Sequence, residues 1–386
     1  MSGQQQLPSP IVFENQIFDL AFHPSQNIIA TGLITGQVFC HRYDIEFNQN
    51  ILSVRPHRKS CRGLEFNHDG SALFSVSKDR SIQVIDLETS AILVNKSRAH
   101  EKPINCVSLL NENILATGDD EGYIKIWDTR TGNELMEYSD HQDFISNFAF
   151  RTDTKTLITT SGDGTLAVYD IRRPNLVAIS DNQDDELLSV AIIKNDRKVV
   201  VGTQNGVINL FSWNEWSDCN DRFIGHPSSI DTIVKINEDL ICTGSSDGII
   251  RVIGILPNKF HGIIGDHEDF PIERIQISHD NTLLASCSHD NIVKFWDICY
   301  LYDEGNNEEE EEDDDDSDDD DDDKDDNDDK DDKDDNDDKD DNDDNKKYED
   351  DKDINNINNN METDDYDKSS TNQRKVNNQN NFFADL

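Results

Sequence analysis

Between about residues 10 and 300 the chain is written as short apolar runs separated by small clusters of Gly, Asn, Asp and Ser. The clearest stretch reads Pro103 to Ser108, Ile114 to Gly118 and Tyr123 to Asp128, each of strand length. In the last of these Ile124 and Ile126 alternate with Lys125. A period of two sends successive side chains to opposite faces of a sheet, whereas a helix needs a period near 3.6. Ala116, Thr117 and Gly118 in the second run are small enough to let neighbouring sheets approach near a narrow centre.

These runs recur with a fixed spacing. Gly122, Gly164, Gly206 and Gly248 stand 42 residues apart, and five residues after each comes Trp127, Tyr169, Phe211 or Ile253. Asn291 with Trp296, Arg80 with Ile85 and Gly36 with His41 extend the register outward. A unit of roughly 40–45 residues, built of short strands with a tight turn before an aromatic, is the signature of a four-stranded propeller blade. Seven copies over residues 15–300 predict an all-β, seven-bladed propeller. A lone blade leaves both apolar faces bare, so the ring must close for any blade to be stable. After Trp296 and Asp297 only Ile298 to Leu301 remain, so the seventh sheet needs an outer strand from elsewhere. Residues 1–14, through Ser9 to Phe13, are expected to supply it and so cover an open edge.

Trp127-Asp128 and Trp296-Asp297, each closing a strand after a tight turn, make the region resemble a WD-repeat protein over about residues 10–300. The resemblance implies a buried hydrogen-bond relay joining a His before the first strand, a Ser or Thr in the second, a turn Asp and the Trp. His267, Ser286, Asp290 and Trp296 fill all four places in the seventh unit. The third has His100, Thr117 and Trp127 with Glu121 at the turn; the fourth has His141, Thr159, Asp163 and Tyr169. The sixth has His226, Thr243 and Asp247 but ends in Ile253, and the fifth has Val201 and Asn205 instead. A repeated Ser-His-Asp set invites comparison with hydrolases. A nucleophile must be exposed beside a pocket, however, and these hydroxyls fall on middle strands, so the expectation is structure without catalysis.

Composition changes sharply past the repeats. From residue 301 on there are 40 acidic against 10 basic side chains, leaving 41 against 25 before it, for a net charge of −46 overall. Glu308 to Asp351 is almost wholly Asp, Glu, Lys and Asn and carries no aliphatic residue, so residues 301–381 are expected to form a disordered acidic tail. Such a run keeps a protein soluble or captures basic partners such as histones, ribosomal proteins or basic assembly factors. It lacks the turn Gly and terminal Glu of an EF-hand, and no metal-spaced His/Cys cluster or phosphate loop appears, so no metal or cofactor is expected. Direct nucleic-acid binding is disfavoured because both parts are acidic. Arg55, His57, Arg58, Lys59 and Arg62 cluster locally and read as a solvated loop. The seven Cys form no C-x-x-C pair, and most, including Cys106, Cys242 and Cys287, read as small core residues in a reducing compartment. No apolar window is long enough to span a membrane, and the expected state is a soluble monomer within larger complexes.

Further stretches resemble one WD-repeat family, that of WD repeat-containing protein 55. They include Leu20 to Pro24, Leu115 to Asp120, Cys242 to Gly248, Ile255 to Asn258, Lys294 to Asp297 and the terminal Phe382-Phe383-Ala384-Asp385-Leu386. The resemblance implies a nucleolar protein acting in ribosomal RNA synthesis or processing. The Asp/Lys/Asn insert is not part of that pattern. Independently, two aromatics and a Leu ending a polar tail, Phe382, Phe383 and Leu386 (residues 382–386), have the size of a short anchor for a partner groove. A different reading comes from Arg130 and Arg172, at the ends of Trp127-Asp128-Thr129-Arg130 and Tyr169-Asp170-Ile171-Arg172. These resemble the paired motif by which receptor propellers contact the adaptor of a cullin-RING ubiquitin ligase, but the four-residue motif is common in propellers and strand-end ion pairs are the favoured reading.

Overall fold

The computed structural model describes residues 6–303. The acidic run from residue 304 on, with Phe382, Phe383 and Leu386, lies outside the described residues. The described residues form seven antiparallel four-stranded sheets, the propeller read from the period. Blade three is typical: Ile104–Asn111, Ile114–Asp119, Ile124–Asp128 and Asn133–Tyr138 follow one another in sequence and in space. Blade seven differs, taking Ile272–Ile277, Leu283–Ser288 and Ile292–Asp297 from one end of the ring and Ile11–Val12 from the other. Ile11 lies opposite Val293 and Val12 opposite Ile292, and the Phe13 N–H donates to the Asn291 carbonyl at 2.9 Å. Buried Ile11 packs with Val293, Phe295 and Tyr43, so the closing strand contributes apolar cover as well as hydrogen bonds.

The core lies between blades. Ala116, Ile124 and Ile126 of blade three meet Phe148, Leu157 and Tyr169 of blade four, and similar clusters recur around the ring. Neighbouring blades approach closely at the second strands. A Cβ built on Gly118 would fall 2.6 Å from the Ile145 Cβ of the next blade, so any side chain there would push the sheets apart. Tyr300–Asp303 forms a short helix that buries Leu301 against Ile236, Cys242 and Ile298, because its apolar side chain finds cover there.

Each inner strand carries a bulge at its second residue, and the seven bulged residues are Phe18, Arg62, Asn105, Ser146, Leu188, Asp231 and Glu273. A bulge leaves its extra residue out of the ladder and re-aims it. All seven line one cavity of about 280 Å³ at the centre of the ring.

Candidate interaction face

In blade seven the Trp296 indole N–H donates to Ser286 Oγ at 2.8 Å. Ser286 Oγ stands 2.7 Å from His267 Nε2, and His267 Nδ1 2.7 Å from Asp290 Oδ2. Burial lowers the His267 pKa against the pull of Asp290, so the imidazole is neutral. One proton arrangement then satisfies every atom: the Ser hydroxyl donates to Nε2, and Nδ1–H donates to the carboxylate. Blade three repeats it, with Trp127 to Thr117 at 2.8 Å and Thr117 to His100 at 2.7 Å. Its acid is Asp119, 2.9 Å from His100 Nδ1, and not Glu121, which points outward to Lys102. The carboxylate two residues earlier reaches the ring, whereas Glu121 is exposed at the turn. Ser286, Thr117 and Thr159 are fully buried, so none is placed as a nucleophile.

Blade two holds a relay that the sequence conceals. His57 is buried with Nε2 2.9 Å from Ser75 and Nδ1 2.9 Å from Ser81, and is no part of a solvated loop. Burial works to raise the Asp79 carboxyl, but His57, Ser81 and the Arg58 N–H outweigh it and hold it well below the usual range. Blade six is broken. Arg251 takes Asp247 in a fork at 3.0 and 2.6 Å, so His226 keeps only Thr243, at 2.8 Å, and burial lowers its pKa to about 4. In blade five Gln183 takes the His place, its N–H donating to the Gly164 carbonyl as those of His57 and His267 do to Gly36 and Gly248.

Arg130 and Arg172 both fold back on their own strands. Arg130 contacts Asp128 at 3.2 and 2.8 Å, and Arg172 contacts Asp170 at 2.7 and 2.8 Å. Their side chains remain 65% and 62% exposed, so each is a strand-end ion pair with an open outer side. Among the described residues no group of His, Cys, Asp or Glu could hold a metal ion, and no helix is long and apolar enough to cross a membrane.

The loops around the central cavity carry charges of both signs. Lys78 N–H donates to the Ser60 carbonyl, Asp120 N–H to Pro103 and His289 N–H to Pro271, tying each turn to the segment that enters its blade. Blade two presents Arg58, Lys59, Lys78 and Arg80 here; blades four and five present Asp143, Asp184 and Glu186, and blade seven Asp269 and Glu273. Within the channel Arg274 stands 3.3 Å from Asp19, whose carboxyl burial pushes up to about 6 despite that guanidinium. Arg62 reaches across to Asp120 at 2.6 Å. Sequence grouping joined Arg62 and His57 to the exposed cations Arg58 and Lys59; folding removes the first two and brings in Lys78, Arg80 and Lys102. The one local signal was Arg80, at a turn where five units carry Gly.

A family model described as WDR55 matches residues 8–301. WD repeat-containing protein 55 of Arabidopsis thaliana is 43% identical over 292 residues, covering 75% of this chain and 82% of that protein. The Rattus norvegicus protein of the same name is 42% identical over 296 residues, covering 76% and 77%. WD repeat-containing protein JIP5 of Coprinopsis cinerea is 42% identical over 304 residues, covering 76% and 74%.

Proposed function

The chain belongs to the WDR55 family, and from that premise we propose that it is a non-catalytic protein-interaction scaffold of the nucleolus, acting in ribosomal RNA production and ribosome biogenesis. WD-repeat propellers generally act as scaffolds, and a rigid ring with several independent faces suits that work. One observation carries the scaffold reading: the Ser, Thr and His groups that resemble catalytic sets are consumed inside the blades, while the loop face offers fixed, opposed charges. The nucleolar part rests on the family resemblance alone.

Affinity capture of the tagged full chain, with and without nuclease treatment, tests both parts. Recovery of pre-ribosomal proteins that nuclease does not disperse is the expected result, together with nucleolar localisation of the tag. A capture containing none of them would sink the ribosomal role. Recovery of a cullin and its adaptor, lost in the Arg130→Ala, Arg172→Ala double variant, would replace the scaffold with a ligase receptor.

A further inference from the structure

We propose that the loop face of blade two is a docking groove for a short acidic segment of a partner protein, with Arg80 as its central contact. This names a partner class for the scaffold reading and rests on it. An open groove of about 600 Å³ is lined by Arg58, Lys59, Lys78, Arg80 and Lys102 against two acids, Asp79 and Glu101. Those two acids leave the lining with an excess of three positive charges. Asp79 is already occupied by His57, Ser81 and the Arg58 N–H. Arg80 Nη1 donates to the Glu101 carbonyl at 3.2 Å, not to its carboxylate. Arg58, Lys59 and Lys78 are exposed, and among the described residues none of their side chains has an ion-pair partner. In a chain with 81 acidic side chains against 35 basic ones, three cations left unpaired beside one another form a local reversal of sign.

Arg80 supplies an independent observation. It sits at φ 73°, in the left-handed region, at the turn position filled by Gly36, Gly122, Gly164, Gly206 and Gly248 in five other blades and by Asn291 in the last. Asn tolerates that conformation; a long L side chain adopts it at a cost. Blade two therefore keeps a charged residue where its own fold favours Gly. Strain held at a half-buried, charged position on the rim of this groove points toward recognition. The groove lining contains no aromatic side chain on which a base could stack, and the acidic ring around it repels a long polyanion. A short run of Asp and Glu meets the same cations and extends less far into the repelling field.

The test uses the full chain and a fluorescein-labelled hexaglutamate peptide in an anisotropy titration, with an uncharged hexaglutamine peptide and an oligouridylate of the same negative charge as controls. Wild type is expected to bind hexaglutamate, more weakly as salt rises from about 50 to about 150 mM, and to bind both controls less tightly. Arg80→Gly should weaken the peptide about fivefold while leaving Tm unchanged or higher, because the turn conformation suits Gly. Lys59→Glu with Lys78→Glu should abolish binding. Absence of salt-sensitive peptide binding, indifference to Arg80→Gly, or tighter binding of the oligouridylate would each overturn the proposal. Repeating the affinity capture with Arg80→Gly separates the two readings: an unchanged set of pre-ribosomal partners beside failed peptide binding leaves the scaffold standing and removes this groove from it.

Discussion

The three inner strands of blades six and seven share order and register, and within them the two blades differ in the fate of one carboxylate. In blade seven Asp290 holds His267, and the chain of bonds runs on through Ser286 to the Trp296 indole. In blade six the equivalent Asp247 is taken by Arg251, His226 Nδ1 has no hydrogen-bond partner, and Ile253 stands where the indole would be. Both blades nevertheless form complete four-stranded sheets. The fold is therefore set by the strand pattern and by apolar cover between blades, and the relay adds local stability to a sheet that forms without it. This is why five degenerate repeats still build a regular ring.

The largest expected effect concerns the other difference between the two, the source of the outer strand. Blade six takes Lys259–Asp266 from the segment that follows directly, whereas blade seven depends on Ile11–Val12. Deleting residues 1–14 should lower stability by about 3–5 kcal/mol, from lost burial of Ile11 and Phe13 and an opened edge. An unchanged Tm for that truncation would mean that the ring closes without its terminal strand. Next comes the relay. Ser286→Ala orphans both the Trp296 N–H and His267 Nε2 and should cost about 2–3 kcal/mol, while Thr243→Val orphans only His226 Nε2 and should cost about 1 kcal/mol. Equal losses in chemical denaturation would erase the distinction between the blades.

The sequence made the ring legible because blade spacing and period-two alternation are local properties that survive degeneracy. It also exposed the blade-seven relay, since all four residue types occupy their places. It hid the relay of blade two because His57 stands among Arg55, Arg58 and Lys59, and a histidine in a basic run looks solvated until its burial is seen. It misplaced the blade-three acid because register points to Glu121, while side-chain reach selects Asp119. The diversion of Asp247 by Arg251 could not be read at all, being a competition between two partners for one carboxylate. The groove of blade two was likewise hidden, since Lys78 and Lys102 join Arg58 only through folding.

Acid titration sharpens the contrast at a smaller scale. A His whose folded pKa is about 4, against about 6.5 unfolded, is protonated first in the unfolded chain. Its contribution is full above about pH 6.5 and is lost as pH falls toward 4. Asp19 and Glu65 act with the opposite sign: burial raises both carboxyls, to about 6 and about 7, so their folded forms hold protons more tightly and gain stability as pH falls through those values. Substitution isolates the histidine. Gln183 already fills the corresponding place in blade five, so His226→Gln should fold, and its stability relative to wild type should improve by about 1–2 kcal/mol between pH 7 and pH 5. His267→Gln should lose more at pH 7, through Asp290 and Ser286, and recover less on acidification because Asp290 opposes the lowering of His267.

The smallest change is the most direct test of why the blades differ. Opposite Ser286 in blade seven stands Lys294, and opposite Thr243 in blade six stands Arg251. Lys294 sends its ammonium to the Asp266 carbonyl at 2.9 Å and leaves Asp290 for the histidine. The Arg251 guanidinium, buried and presenting two parallel donors, matches the Asp247 carboxylate and captures it. Arg251→Lys removes that fork while keeping the charge. Asp247 should then turn to His226 as Asp290 does to His267, raising the His226 pKa from about 4 toward its ordinary value and adding about 0.5–1 kcal/mol of stability. An NMR titration of the His226 ring proton reads the first effect without reference to folding. If that pKa stays where it is, the competition between Arg251 and His226 is not what separates blade six from blade seven, and the turn backbone must hold Asp247 away.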